Sequence, residues 1–485
     1  MSNILFPSSG RLQRPSLAVS ALPIVFLLLM LTGIIVCGSA DLINTYSPAI
    51  LLSATALCLI LGRISRSYSP RSLATGIRRS ATQILPAVPM LLFISMVATT
   101  WMLSGVVPTL IEYGLLIINP TYFLAIACAV CAAVSVLTGS SWSTIATIGV
   151  AFMGIGTVLG YSEAWIAGAI ISGAYFGDKM SPLSDTTVVA SSACGVDLFK
   201  HIRYMMLTSA PAMAVALLVY TIVGLFNGSS AEASAGDMIQ SLQATFNITP
   251  WTLVIPAITV TLLLLRVPTL WVLAASATAG AAGIFIFQPD LLPELESGIA
   301  ALPRILWSET SLSTGSELLD SLAATSGITG MLPTIALVLS AMTFGAAMLG
   351  TGMIATITRA ITRRLTRRSS IVGTTVASGL FLNSCTADQY LSLIIGGNMY
   401  RNVYRRAGLE PRLLSRTMED SVSVTSVLIP WNSCGVTQSA VLGVATVAYL
   451  PCCIFNLMSP VMSIVLAMTG FKIRSTRRVP VAAPA

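Results

Sequence analysis

Charge is what this sequence has least of. Only 9% of its 485 residues are Asp, Glu, Lys or Arg, where a soluble domain carries about 25%. Hydrophobic residues make up 55% of the chain and the mean hydropathy is +0.85. So little polar material cannot clothe the surface of a soluble protein this large. A cytosolic enzyme, a secreted domain and a disordered scaffold are therefore excluded. There is one histidine, too few for a histidine-built metal site. Cys128 and Cys131 have CxxC spacing, but no second cysteine pair or histidine completes a metal set. The nine cysteines are expected to be free thiols packed between helices. The net charge of +8 lies in short basic clusters between apolar runs. The retention of basic loops on the cytoplasmic side explains such clusters without nucleic acid. What the chain does have is long apolar runs. It reads as an all-α polytopic membrane protein whose standing partner is membrane lipid.

A spanning helix needs about 20 apolar residues. Hydropathy predicts spans at 17–37, 46–62, 83–105, 202–226, 250–266, 268–288, 331–350 and 452–470. The first run exceeds a signal-peptide core of about 7–15 residues, so it is expected to be the first membrane helix. Arg11 and Arg14 place the N-terminus inside. Arg63, Arg66, Arg71, Arg78 and Arg79 mark a second inner segment, and Lys200, His201 and Arg203 a third. The clusters at 363–368, 401–416 and 472–478 are inner as well. Glu232 and Asp237 put loop 227–249 outside. So do Asp290, Glu294, Glu296, Glu309, Glu317 and Asp320 for loop 289–330, against a lone Arg304.

On this parity helix 83–105 runs outward and helix 331–350 runs inward, yet the segments after the two helices are alike. An apolar run reaches a polar tip, Thr138-Gly139-Ser140-Ser141 in one half and Asn383-Ser384-Cys385-Thr386 in the other, and then turns back. Further on come two proline-centred breaks, at Pro182 and Pro430. The offsets are 245 residues for the tips and 248 for the prolines. Like elements in opposite orientation form an inverted repeat, a plan common in secondary transporters. The expected organisation is a cytoplasmic segment 1–16, a first repeat 17–226, a linker 227–330 holding helices 250–266 and 268–288, a second repeat 331–470, and a basic cytoplasmic tail 471–485. Each repeat is expected to hold a re-entrant hairpin, 121–160 or 371–398, and a broken helix, 163–198 or 412–450.

The breaks carry the chemistry. An Asp at bilayer depth costs about 2.5–3.5 kcal/mol to insert, so it is functional by default. Asp178 and Asp185 flank the first break. Segment 177–181 is expected to unwind, with Ser181 capping a half-helix that begins at Pro182. Carboxylate, hydroxyl and carbonyl oxygens gathered there, from Asp178, Ser181, Ser184, Asp185 and Thr186, suit a hard cation such as Na⁺. Asp388 and Asn432 are their expected partners from the second half, although Thr386 with Gln389 also matches a capping box that would make Asp388 a favourably placed helix-start acid. Lys179 is a candidate charge partner, and a poor one for its own neighbour Asp178. Glu419 and Asp420 lie near Arg416, where a surface ion pair and a role in admitting the ion are alternatives. His201 reads as part of a solvated basic cluster.

Several stretches together resemble the NhaC family of bacterial Na⁺/H⁺ antiporters. They are Thr138-Gly-Ser-Ser-Trp142, Gly149-Val-Ala-Phe-Met-Gly-Ile-Gly156 and Gly173-Ala-Tyr-Phe-Gly-Asp-Lys-Met-Ser-Pro-Leu-Ser-Asp-Thr-Thr187. The second half adds Ala387-Asp-Gln-Tyr-Leu-Ser392, Leu414-Ser-Arg-Thr-Met-Glu-Asp-Ser421 and Leu428-Ile-Pro-Trp-Asn-Ser-Cys-Gly435. The resemblance spans residues 20–470. It implies inner-membrane exchange of Na⁺, with Li⁺ a further cargo, against H⁺. It also implies kinship with elevator carriers that are often homodimers, and no cofactor beyond the transported ions. Where the family more often has Gly before Asp-Gln-Tyr, this chain has Ala387. Some relatives exchange organic acids such as malate and lactate with Na⁺ and H⁺, which is the alternative function. An intramembrane protease would need a membrane histidine, or Gly-x-Gly-Asp where this chain has Tyr175-Phe176-Gly177-Asp178.

Overall fold

The computed structural model describes residues 13–37, 40–68, 87–227, 239–291, 302–310, 327–362 and 367–473, with short pieces within 73–82 and 319–325. Arg11, Arg71, Arg79, Glu232, Asp237, Glu294, Glu296, Glu317, Arg363, Arg364 and the tail beyond 473, all used above to orient the chain, lie outside the described residues. Among the described residues the protein is helical, apart from one isolated bridge between Thr310 and Thr325. Among the described residues seven helices are long and apolar enough to cross a membrane, or up to 10 if each bent pair counts as one span. Large apolar side chains face outward along them, Leu29 at 68%, Phe226 at 82% and Trp271 at 67% exposure. Outward apolar faces of this kind suit lipid, not water.

The hydropathy spans form helices α1 (Leu17–Cys37), α2 (Ala40–Ile64) and α3 (Ala87–Leu103). One element outside the expected spans is α4, Val106–Ile117, into which the chain bends by 67° after α3. The hinge is Gly105 at φ +82°, where a Cβ would lie 2.2 Å from the Gln288 amide, so only glycine fits. A hairpin comes next, α5 (Phe123–Thr138) and α6 (141–158), the latter interrupted by a π turn at Ile145–Gly149. Beyond it lie α7 (Glu163–Met180), a break at 181–184, α8 (Asp185–Cys194) and α9 (Leu198–Asn227). The second half opens with α10 (Val254–Leu264) and α11 (Thr269–Phe287), then α12 (Leu332–Gly350) and α13 (Met353–Thr362). Its hairpin is α14 (Arg368–Thr386) and α15 (Gln389–Arg406). Its broken helix is α16 (Pro411–Met418, continuing through a π turn at Glu419–Ser423) and α17 (Ser433–Leu442). α18 (Ile454–Thr469) closes the bundle.

The packing within and between the halves comes in reciprocal pairs. α2 lies on α12, and α11 lies on α3. α8 runs along α15, and α17 touches α6. α9 packs on α5 and α18 on α14, while α9 and α18 pack on each other. The hairpin arm α5 sits tightest, against α7, because a Cβ at Gly173 or Gly177 would fall 2.1 Å from the Cys128 carbonyl oxygen or 2.3 Å from that of Ala132. Glycines spaced by four on one helix face allow such backbone contact.

The cysteines whose side chains are described are buried free thiols, as expected.

Candidate functional site

The two hairpin tips are built alike. α5 ends at Gly139 with φ +71°, and Ser140 caps α6 by accepting from Ser143 N at 3.2 Å. α14 ends at Ala387 with φ +55°, and Asp388 caps α15 by accepting from Leu391 N at 2.7 Å. Thr138 Oγ1 accepts from Ser140 N at 3.4 Å, and Thr386 Oγ1 accepts from Asp388 N at 3.3 Å. Each second residue lies 248 positions after the first. The tips therefore share the offset of the prolines, and the expected 245 came from aligning Thr138 with Asn383, one helical turn too early. Asn383 and Ser384 belong to the last turn of α14, which runs on to Thr386. The expected Thr386 capping box is also displaced, since Asp388 itself is the cap.

The breaks repeat the correspondence. Ser184 caps α8 by accepting from Thr187 N at 3.5 Å, and Asn432 caps α17 by accepting from Cys434 N at 3.1 Å. This moves the first break. α7 stays helical to Met180, so segment 177–181 is not unwound, and Ser181 ends α7 while accepting from Leu183 N at 3.2 Å. The shift has a local chemical cause: Pro182 disfavours helix at the residue before it, whereas Ser184 supplies the cap.

The first tip reaches the first crossing through one bond: Ser141 Oγ donates to Asp178 Oδ2 at 2.7 Å. The Ser184 hydroxyl also faces this carboxylate. At the matching place Ser426 Oγ donates to Gln389 Oε1 at 3.2 Å. Ser135 Oγ donates to the Ala174 carbonyl at 2.6 Å, and Asn383 Nδ2 to the Val422 carbonyl at 2.7 Å. The polar frame is thus shared by the two halves, and the acid is not.

Tips and first break enclose a cavity of about 700 Å³. Its wall brings together Thr138, Gly139, Ser140, Ser141, Asp178, Ser184, Asp185, Thr186 and Asp388, all singled out in the sequence. Asp178 is buried at 8% exposure and Asp388 at 3%, while Asp185, at the first position of α8, is exposed to the cavity. Ser181, Asn383, Ser384, Thr386 and Asn432 do not line it; Ser181, Ser384, Thr386 and Asn432 bond to backbone at helix ends and tips, and Asn383 donates across to Val422. The wall also contains Trp142, Gln389, Tyr390, Ser433 and Arg266. Arg266 was invisible as a site residue because a basic residue between two spans reads as a topology signal. It sits at φ +61° in the turn joining α10 and α11.

Behind the cavity lies a second cluster, fully buried. Lys179 ion-pairs with Asp420, which joins α7 to α16. Asp420 also accepts from Thr208 at 3.2 Å, Ser459 at 2.9 Å and Ser463 at 2.5 Å. Arg416 Nε is 3.9 Å from Asp420 Oδ2, and its guanidinium lies 4.8 Å from the centre of the Tyr204 ring. Glu419 is wholly buried with no hydrogen-bond partner on either oxygen. A surface ion pair for Glu419 and Asp420 is thereby ruled out, and Lys179 finds its partner across the halves. His201 is likewise buried, its Nδ1 2.8 Å from Ser415 Oγ, not part of a solvated cluster.

A helical bundle with two capped hairpin tips, two broken crossings and a buried acid on a central cavity defines a polytopic membrane carrier. The chain belongs to the Na⁺/H⁺ antiporter family, whose model matches residues 13–197 and 173–471. It is 36% identical over 380 residues to the Na⁺/H⁺ antiporter NhaC of Alkalihalophilus pseudofirmus, covering 78% of this chain and 81% of that one. It is 34% identical over 416 residues to the malate-2H⁺/Na⁺-lactate antiporter of Bacillus subtilis, covering 85% and 87%. It is 31% identical over 465 residues to the arginine/ornithine antiporter ArcD of Halobacterium salinarum, covering 95% and 93%.

Proposed function

We propose that this chain exports Na⁺, and Li⁺ by the same ligands, in exchange for H⁺ across the bacterial inner membrane, with both termini cytoplasmic. The observation that carries the reading is the buried Asp178 carboxylate, held by Ser141 at 2.7 Å on the wall of the cavity where both tips meet. Asp178, Asp185 and Asp388 offer carboxylate oxygens there, and Ser140, Ser184 and Thr186 offer hydroxyls. Hard oxygen donors of this kind replace the hydration shell of a small cation. Membership of the Na⁺/H⁺ antiporter family and the NhaC relatives support the same cargo.

The architecture we propose is two inverted repeats. The reciprocal packing and the common offset of 248 support it, and they favour counting α10 and α11 with the second repeat instead of with a linker. Charge parity puts the Arg266 turn on the cytoplasmic side, so the cavity would load Na⁺ from there. Single cysteines at Ser230 and Ser313 should react with impermeant thiol reagents from outside, and those at Ser69 and Ser369 only from inside. A swap of any of the four would break the inversion.

One feature favours a second reading, organic-anion exchange driven by both ions. Arg266 and the capped starts of α6, α8 and α15 share the cavity wall, and helix N-termini with a cation suit a carboxylate substrate. Dye-quench assays in proteoliposomes with Na⁺, Li⁺, K⁺, malate and lactate separate the two. Proton movement on adding Na⁺ alone supports antiport. A response that requires malate or lactate replaces it with the exchanger.

A further inference from the structure

The outer half of the second crossing, α17, carries polar atoms that its packing leaves unsatisfied. Gln438 is fully buried with no partner on its amide oxygen or its amide nitrogen, and Thr437, at 1% exposure, has none on its hydroxyl. The Tyr175 hydroxyl of α7 and the Trp142 indole nitrogen are also buried without a partner. A buried donor or acceptor left unpaired destabilises the state that holds it, so such groups call for another state in which they are satisfied. Their placement indicates which. Trp142 and Ser433, the first residue of α17, line the cavity. The next residue, Cys434, faces both Trp142 and Tyr175. Thr437 and Gln438 follow Cys434 by three and four residues, hence on the same helix face. Gln438 lies about 7.5 Å along the helix from Ser433, at 1.5 Å per residue. α17 packs against α3, α12 and the π turn of α6. The duplicated frame does not account for the polar pair, because 248 residues earlier α8 has Val189 and Ala190.

Resting on the antiport reading, we propose that Thr437 and Gln438 form an outer station on the route of the cation. On the topology proposed above, α7 runs inward and α17 outward. Tyr175 thus stands about one turn outward of Asp178, and Thr437 and Gln438 stand outward of the cavity wall. Na⁺ released by Asp178 passes Tyr175 and meets the Thr437 hydroxyl and the Gln438 amide oxygen, with water completing its shell. These donors are hard oxygens, as a small cation requires, and all of them are neutral. A neutral station holds the ion more weakly than a carboxylate does. It therefore accepts Na⁺ without trapping it, which is the condition for passage through successive sites. In this structure the station is closed, since the helices around it bury its polar atoms. It takes up the ion when the cavity opens outward.

Gln438→Leu and Thr437→Val test the station, and stability separates it from a structural role. Replacing an unpaired buried polar group by an apolar one of similar size removes its desolvation cost, so both variants should melt at or above the wild-type temperature in detergent. Isothermal titration should find Na⁺ affinity within about threefold of wild type, because Asp178 is untouched. The maximal rate of Na⁺-driven proton movement in proteoliposomes should fall about tenfold, as for loss of one or two neutral ligands. Wild-type rates in both variants would overturn the proposal, and so would a loss of rate accompanied by a lower melting temperature. A second measurement reads access in place of rate. In protein carrying Cys434→Ser, Gln438→Cys should react with an impermeant methanethiosulfonate in right-side-out vesicles but not in inverted ones, and faster during Na⁺/H⁺ exchange than at rest. Reaction from the inside, or none during exchange, overturns the station. If wild type moves no H⁺ on adding Na⁺, the antiport reading has failed by itself. The labelling is then repeated during malate–lactate exchange, where reaction from outside alone supports the outward route and no reaction overturns it.

Discussion

The two broken crossings share one backbone plan and differ in what they load onto it. At the first, Ser141 from the hairpin tip holds Asp178; at the second, Gln389 from the other tip meets Ser426, with the donor and acceptor sides exchanged. The positions of Arg416, Glu419 and Asp420 in the second crossing are filled by Gly168, Ile171 and Ser172 in the first. The first crossing thus presents its acid to the cavity, and the second keeps its acids behind the wall. On the reading proposed above, the duplicated frame would supply the mechanics of a carrier and the residues that differ between the crossings would choose the ions. One link between the two sets is the buried Lys179–Asp420 pair. Removing one partner of such a pair costs about 3–5 kcal/mol, so it also pins the crossings together.

The comparison breaks most sharply at Asp178. Asp178→Asn should lower Na⁺-driven proton flux by about 100-fold or more, as expected for a functional acid at bilayer depth, while Ser426→Ala at the matching place should stay within about threefold; initial rates of dye dequenching at equal protein density check both. Lowering pH should raise the apparent Na⁺ KM by up to about tenfold per unit, because binding of H⁺ and binding of Na⁺ oppose each other reciprocally. Initial rates against Na⁺ at a series of pH values measure the slope, and a flat profile would remove the linkage. Asp388 separates capping from charge. Asn caps a helix as well as Asp does, whereas Ala costs about 1 kcal/mol. Asp388→Asn and Asp388→Ala should therefore both slow transport, by about tenfold, but only Ala should lower the melting temperature. The smallest effects lie at the residues just before the caps. Gly139→Ala would place a Cβ 2.6 Å from that of Leu183 at φ +71°, a loss of about 1–2 kcal/mol from the left-handed backbone alone. Ala387→Gly at φ +55° should change stability by less than about 1 kcal/mol. Thermal unfolding in detergent compares the two.

Much of this was legible because membrane helices announce themselves. Every hydropathy span became a helix, and the prolines located both breaks. The cavity residues Asp178, Asp185 and Asp388 stood out because acids are scarce in such a chain. Other features depended on long-range packing. Arg266 enters the cavity wall because α11 folds against α3 and α10 against α11, and no local pattern carries that. For Glu419 and Asp420 the nearby Arg416 left a surface ion pair and a role in admitting the ion both open, and the packing of other helices around them decides that they are buried. The break itself was misplaced by three or four residues, since Ser181 and Ser184 are equally good caps on composition and only the fold shows which one holds a helix.

The central claim is that the acid of the first crossing, and not its polar counterpart in the second, holds the cation. Isothermal titration of Na⁺ into purified wild-type, Asp178→Asn and Ser426→Ala proteins tests it directly, without proton transport entering the readout. The account predicts that Asp178→Asn loses measurable Na⁺ binding while Ser426→Ala binds within about threefold of wild type, as for removal of one neutral hydrogen bond. Wild-type affinity in Asp178→Asn, or equal loss in Ser426→Ala, would contradict it.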